Sequence, residues 1–141
     1  MPPDNSPRIR ALRMLMMMDA TILTLLGFAF IFCPGQIEEV FHFENVPPAM
    51  NFLIGLWGSV LLTLGTGYGV AAIDPRRHRL WVGMGVARGG LEAIFGLWCF
   101  CRGMVTWKQS GLGILLAAFM AIAYLVLYPR PTDEEGWKLR H

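Results

Sequence analysis

Four long apolar runs, separated by short charged segments, constrain the fold of this chain more than any other feature of its sequence. Each run is close to the about 20 residues that an α-helix needs to cross the hydrocarbon core of a bilayer. Because no water is present there to satisfy backbone N–H and C=O groups, each run must be helical, and the alternating pattern of barrel strands is absent. The sequence therefore predicts an all-α fold, an integral membrane four-helix transmembrane bundle.

Proline, glycine and charged residues between the apolar runs predict where the helices end. They place the membrane spans at about 12–33, 50–73, 80–101 and 110–128. The connections are too short to hold a further domain. The prediction is therefore a single transmembrane domain over residues 1–141.

The charge distribution predicts the orientation of the chain and narrows its partners. Nine of the 12 Lys and Arg residues lie in the N-terminal segment, the turn at 74–79 and the C-terminal tail, whereas the other two loops hold only Arg102 and Lys108. The positive-inside rule then puts both termini in the cytoplasm, and we expect a bacterial inner membrane. Because the basic residues form no stripe with interleaved aromatics, nucleic acid is not an expected partner.

Three ionisable residues lie inside the predicted spans: Asp19 in the first, and Arg88 and Glu92 in the third. Each alone costs roughly 2.5 to 3.5 kcal/mol at the centre of a membrane helix. At 1.5 Å per residue, Asp19 and Arg88 both lie roughly 10 to 12 Å from the cytoplasmic boundary. Glu92 follows Arg88 by one helical turn on the same face. The spacing predicts an acidic–basic–acidic cluster that faces the bundle interior.

This intramembrane cluster has two interpretations. In the functional one, it is a proton path or a site where Arg88 meets an anionic or quinone head group. In the structural one, it is a buried ion network that fixes helix register, or a contact with a neighbouring subunit. No histidine lies in the predicted spans to extend a proton relay, which favours the structural interpretation.

Small residues recur at four-residue spacing in three of the spans, and this pattern predicts close packing of helix backbones. They are Gly65 and Gly69, Gly85 and Gly89, and Gly113, Ala117 and Ala121.

Three cysteines lie at the predicted outer side, with a histidine in the adjacent acidic loop. They are Cys33 at the end of the first span, Cys99 and Cys101 at the end of the third, and His42 in the loop. A thiol-redox or metal site is one interpretation, and cysteines that pack as small apolar side chains are the other. Because a Cys-x-Cys pair with one histidine is a poor metal signal, no metal site is predicted. No Ser-His-Asp or Cys-His arrangement can be assembled either, so no catalytic residue is predicted.

The layout resembles the small four-helix DoxX-like membrane proteins and related bacterial families. The resemblance rests on the acidic loop after the first span, the glycine-rich second span, and the turn AAIDPRRHR at residues 71–79. It implies the architecture described above, and it implies a link to quinone-coupled or thiol-linked redox complexes, which some members of such families have. No catalytic motif of the family can be transferred to residues of this chain.

The sequence favours a non-catalytic accessory subunit of a larger membrane complex, of respiratory or photosynthetic type, that packs through small-residue helix faces. Its expected partners are membrane lipids and either other membrane subunits or further copies of itself. The alternative is a DoxX-like redox or quinone-interacting protein that uses Asp19, Arg88 and Glu92, or the outer cysteines. A small transporter that works as an oligomer ranks third. No cofactor is predicted, and a bound lipid, quinone or pigment remains open.

Overall fold

The computed structural model of the protein describes residues 7–40 and 47–129, and these residues form α-helices joined by turns. The helices are α1 (Pro7–Phe32), α2 (Pro34–Val40), α3 (Pro48–Ile73), α4 (Arg79–Cys101) and α5 (Trp107–Leu127). Four of them, all except α2, are long and apolar enough to cross a membrane. The predicted all-α fold class is confirmed.

Two of the long helices begin earlier than the hydropathy of the sequence indicates. Among the described residues, helix α1 already includes Pro7, whereas the predicted span starts at about residue 12. Helix α5 begins at Trp107 instead of about residue 110. The backbone N–H of Thr106 donates to Gln109 Oε1 at 2.8 Å, which fixes the first turn of α5.

The bundle consists of two helix hairpins, with α1 packed along α3 and α4 packed along α5. Glycines allow the first pair to approach closely. A Cβ atom added at Gly58 would lie 2.8 Å from the carbonyl oxygen of Gly27, and one added at Gly27 would lie 2.9 Å from the carbonyl oxygen of Gly58. In a membrane, where lipid is as apolar as the side chains, such close backbone contact is a main source of helix association.

Glycines also allow the two helices of the second hairpin, α4 and α5, to approach closely. A Cβ atom added at Gly89 would lie 2.7 Å from the carbonyl oxygen of Ala117, and one added at Gly85 would lie 2.6 Å from the ring of Tyr124. Gly113, by contrast, faces open space. Most of the small residues that the spacing singles out thus pack inside the two hairpins, and they do not form a face that is free for a partner.

Two arginines of α1 bind the ends of other helices. Arg8 Nη2 donates to the carbonyl oxygens of Val126 and Tyr128, both at 2.8 Å. Arg13 Nη2 donates to the carbonyl oxygen of Ile73 at 3.1 Å. These carbonyls lie at the C-terminal ends of α5 and α3, where no intrahelical donor remains and positive charge is favourable. The start of α1 and the ends of α3 and α5 therefore lie at one end of the bundle, which we call the arginine-rich end.

The hydrophobic core lies towards the arginine-rich end. Its largest fully buried side chains are Leu12, Met16, Tyr68, Val82 and Tyr124. The two hairpins contact each other through fewer residues than the helices within each hairpin do. The interactions that do join the hairpins therefore matter most for holding the bundle together, and the predicted ionisable residues are among them.

Candidate functional site

An ion pair connects the two hairpins. Asp19 on α1 is 3% exposed, and it faces Arg88 on α4. Arg88 Nη2 donates to Asp19 Oδ1 at 2.8 Å and to Asp19 Oδ2 at 2.7 Å. The structure thus brings together the two residues that the sequence places at the same depth. A charge-assisted contact of this length is among the strong hydrogen bonds of proteins.

Tyr124 on α5 completes the surroundings of the Asp19 carboxylate. Its hydroxyl donates to Asp19 Oδ2 at 2.9 Å, and the residue is fully buried. Asp19 therefore accepts three hydrogen bonds. Sequence reasoning missed Tyr124, although a tyrosine in an apolar membrane span needs a partner for its hydroxyl, which is the signal that could have found it.

Tyr68 on α3 adds the fourth long helix to the cluster. The guanidinium carbon of Arg88 lies 5.5 Å from the centre of its ring, in a cation–π contact. The Tyr68 ring also stacks on Tyr124 with centroids 5.9 Å apart and meets the edge of Trp81 at 5.5 Å. We call Asp19, Tyr68, Arg88 and Tyr124 the Asp19 cluster. It takes one residue from each of the four long helices.

Two polar atoms of the Asp19 cluster are buried without a hydrogen-bond partner among the described residues. They are the Tyr68 hydroxyl and Arg88 Nε. The Tyr68 ring lies against the Arg88 guanidinium, but its hydroxyl makes no hydrogen bond to a described residue. Since buried polar groups are usually satisfied, these two atoms are the part of the cluster whose hydrogen bonding is incomplete among the described residues.

Glu92 lies beside Arg88, as the sequence predicts, but at the exposed edge of the cluster and not in its interior. Its Oε1 lies 3.9 Å from Arg88 Nη1, beyond hydrogen-bond length, and its side chain is 43% exposed, against 16% for Arg88 and 4% for Asp19. The i,i+4 spacing does place Glu92 beside Arg88, but the shortest contacts of the Arg88 guanidinium are its hydrogen bonds to Asp19. Glu92 is therefore left at the rim of the Asp19 cluster.

The three cysteines are free thiols. Cys33 is half-buried at the end of α1, Cys99 is buried, and Cys101 is exposed at the end of α4. His42, the histidine of the predicted outer site, lies outside the described residues. Within 7–40 and 47–129, no three His, Cys, Asp or Glu side chains lie together so that they could hold a metal ion.

A groove of about 460 Å³ runs between α1 and α5. Its lining consists of Ala11, Met14, Leu15, Met18, Phe119, Ala123 and Leu127. Because no ionisable or hydrogen-bonding side chain lines it, the groove offers an apolar surface without a group that could take part in a reaction.

Comparison with known proteins gives no further guide to function. No protein-family profile, curated protein or solved structure matches this chain.

Proposed function

We propose that this protein is a non-catalytic structural subunit of a larger membrane assembly, of respiratory or photosynthetic type. The observation that carries the proposal is the set of three hydrogen bonds on Asp19, two from Arg88 and one from Tyr124. They join three helices from both hairpins. An acid and a base that bond each other this fully stabilise a structure, whereas proton-transfer chemistry needs a group that is free to reach its substrate.

The outward surface of the bundle supports a role in an assembly. Aromatic side chains form exposed stacks on two helices, Phe28 with Phe32 on α1 and Phe95 with Trp98 on α4. The small residues pack mostly inside the hairpins. Partner subunits or further copies of the chain therefore contact these aromatic faces. A bundle whose two halves share few contacts gains stability from such neighbours.

Purification of the tagged protein from native membranes in a mild detergent tests this proposal. We expect a particle many times heavier than the 15.8 kDa chain, with other subunits in fixed stoichiometry by mass spectrometry. A parallel preparation in a harsh detergent, which should release the chain alone, is the control. Recovery of nothing but a lone small oligomer from the mild detergent would contradict the proposal.

We further propose that the membrane is a bacterial inner membrane and that both termini are cytoplasmic. The arginine-rich end supports this, since it holds the start of α1 and the end of α5 together with the 74–79 turn. In intact spheroplasts, we expect a membrane-impermeant maleimide to label the exposed Cys101 but not the buried Cys99, with single-cysteine variants as the comparison. Labelling of Cys101 only after the membrane is permeabilised would reverse the orientation.

A second candidate function is a redox or quinone-interacting protein of the DoxX-like type, and the two unpartnered polar atoms of the Asp19 cluster favour it. The Tyr68 hydroxyl and Arg88 Nε could both donate to the oxygen of a head group. The preparation from native membranes provides the measurement. Extraction of about one quinone per chain would support this function, and an extract without quinone would count against it.

A further inference from the structure

The acidic and basic side chains in the middle of the described membrane helices, Asp19, Arg88 and Glu92, do not balance in charge. Asp19 and Arg88 neutralise each other at 2.7 Å. Glu92 then remains, with Arg88 Nη1 at 3.9 Å as its ion-pair contact among the described residues. Asp19, Glu92 and Arg88 together thus carry two carboxylates and one guanidinium, and the guanidinium is already engaged by Asp19.

Glu92 lies close to the middle of a membrane span. It is preceded by 13 and followed by nine residues of α4, which runs from Arg79 to Cys101. At 1.5 Å per residue, these lengths correspond to about 20 Å and about 14 Å along the helix axis. A carboxylate that faces lipid at this depth costs about 2.5 kcal/mol or more. Its 43% exposed side chain has the guanidinium of Arg88 at 3.9 Å, and because that guanidinium is hydrogen-bonded to Asp19, the Glu92 carboxylate calls for a second basic partner.

We propose that α4 binds, at Glu92, a transmembrane helix of a different subunit that carries a basic side chain near the middle of the bilayer. The inference rests on the proposed function and specifies its partner. Charge complementarity selects a lysine or arginine opposite Glu92. Leu91 and Phe95, which are 69% and 64% exposed next to it, offer apolar surface on which the partner helix packs. Polar contacts of this kind between membrane helices add affinity to a packed interface.

A second copy of the same chain fits this surface poorly. Symmetric dimers bring the same patch of both subunits together, so a contact at Glu92 would place two carboxylates side by side. Neither Arg88 could compensate, because each is held by its own Asp19. A lipid head group fits poorly too, since head groups lie at the membrane surface, roughly 15 Å from the midplane.

Binding of a designed transmembrane peptide tests the inference. The full-length protein, with a fluorescent donor on an N-terminal tag, is reconstituted in phosphatidylcholine vesicles. The probe is an acceptor-labelled polyleucine helix of about 24 residues with one central arginine, and the matched control has leucine at that position. Energy transfer measures the association of each peptide with the wild type and with Glu92→Gln, which keeps the size of the side chain and removes its charge.

We expect the arginine peptide to bind the wild-type protein about tenfold more tightly than the leucine peptide does, and to lose this advantage on Glu92→Gln. The variant should keep the wild-type circular dichroism and thermal transition, because it leaves the contact between Asp19 and Arg88 in place. Equal binding of the arginine peptide to both proteins would overturn the inference, as would a wild-type homodimer that Glu92→Gln dissociates.

Failure of the inference and failure of the proposed function can be told apart. If the native assembly is large and Glu92→Gln purifies with every subunit, the assignment of Glu92 fails while the subunit role remains. If the native protein is a lone oligomer, the subunit role fails, and the peptide measurement still reports on Glu92.

Discussion

Replacement of Asp19 by alanine is expected to destabilise the bundle by about 3–5 kcal/mol, the usual effect of leaving one charge of a buried pair without its partner. The variant deprives Arg88 of both short hydrogen bonds and leaves the Tyr124 hydroxyl without its acceptor. Among the described residues, Glu92 is the carboxylate left near the guanidinium, at 3.9 Å. The free energy of unfolding in mixed micelles, followed by circular dichroism during titration with a denaturing detergent, measures the loss.

A double variant separates the ion pair from the packing around it. Asp19→Leu with Arg88→Leu removes both charges, and we expect it to regain most of the lost stability, because apolar side chains often replace a buried pair without net loss. Tyr124→Phe removes one hydrogen bond to a charged group and should cost about 1.5 to 3 kcal/mol. If the double variant is as unstable as the sum of the single ones, Asp19 and Arg88 are not coupled and their structural role is refuted.

The same measurements distinguish the two candidate functions. If Arg88 served a quinone head group and contributed little to the fold, Arg88→Gln would abolish turnover while the protein still assembled. If the Asp19 cluster holds the hairpins together, Arg88→Gln lowers the stability of the protein itself. Stability and assembly must therefore be measured before any loss of activity is assigned to chemistry at Arg88.

The contact between Asp19 and Arg88 could be predicted because lipid leaves an isolated charge few alternatives. Both residues lie at the same depth, and pairing removes a cost that neither can avoid alone. The sequence could not show which carboxylate Arg88 selects. Glu92 is nearer along the chain, but selection depends on how the α1–α3 hairpin sits against α4, and sequence spacing does not determine this.

Tyr68 and Tyr124 were missed for a related reason. Each is an aromatic residue whose single hydroxyl changes the mean hydropathy of its span little, so neither disturbs the hydropathy pattern. Their positions around Asp19 follow from the rotation of α3 and α5 about their axes. Side-chain packing between the helices sets that rotation. The length and polarity of a span do not reveal it.

Glycine spacing predicted close packing but not its location. Gly65, which belongs to a four-residue repeat, does pack closely against Thr24 of α1, but Gly27 and Gly58 also bring α1 and α3 together, and neither belongs to a repeat that the sequence singled out. Gly113 belongs to such a repeat and faces open space. A repeat within one helix shows that a neighbour can approach, whereas the partner helix and its register decide which glycine is used.

Two adjacent glycines of α4 allow this point to be tested within one helix. Gly89→Ala is expected to destabilise the protein by about 3 kcal/mol, the upper part of the usual range for overpacking. The new methyl group would lie 2.7 Å from the carbonyl oxygen of Ala117 and 2.9 Å from the backbone nitrogen of Ala121. Because both atoms belong to the backbone of α5, no side chain can turn aside, and the two helices must separate along the contact.

Gly90→Ala is the matched control, since a Cβ atom at Gly90 meets nothing within 4 Å. It should be neutral or stabilise the protein by up to about 1 kcal/mol, because alanine has a higher helix propensity than glycine. Thermal transitions of the two variants in the same detergent provide the comparison. The same substitution one residue apart should thus destabilise the protein at Gly89 and not at Gly90. If both variants behave alike, α4 does not pack on α5 through Gly89, and the surface that α4 presents to a partner helix would have to be assigned anew.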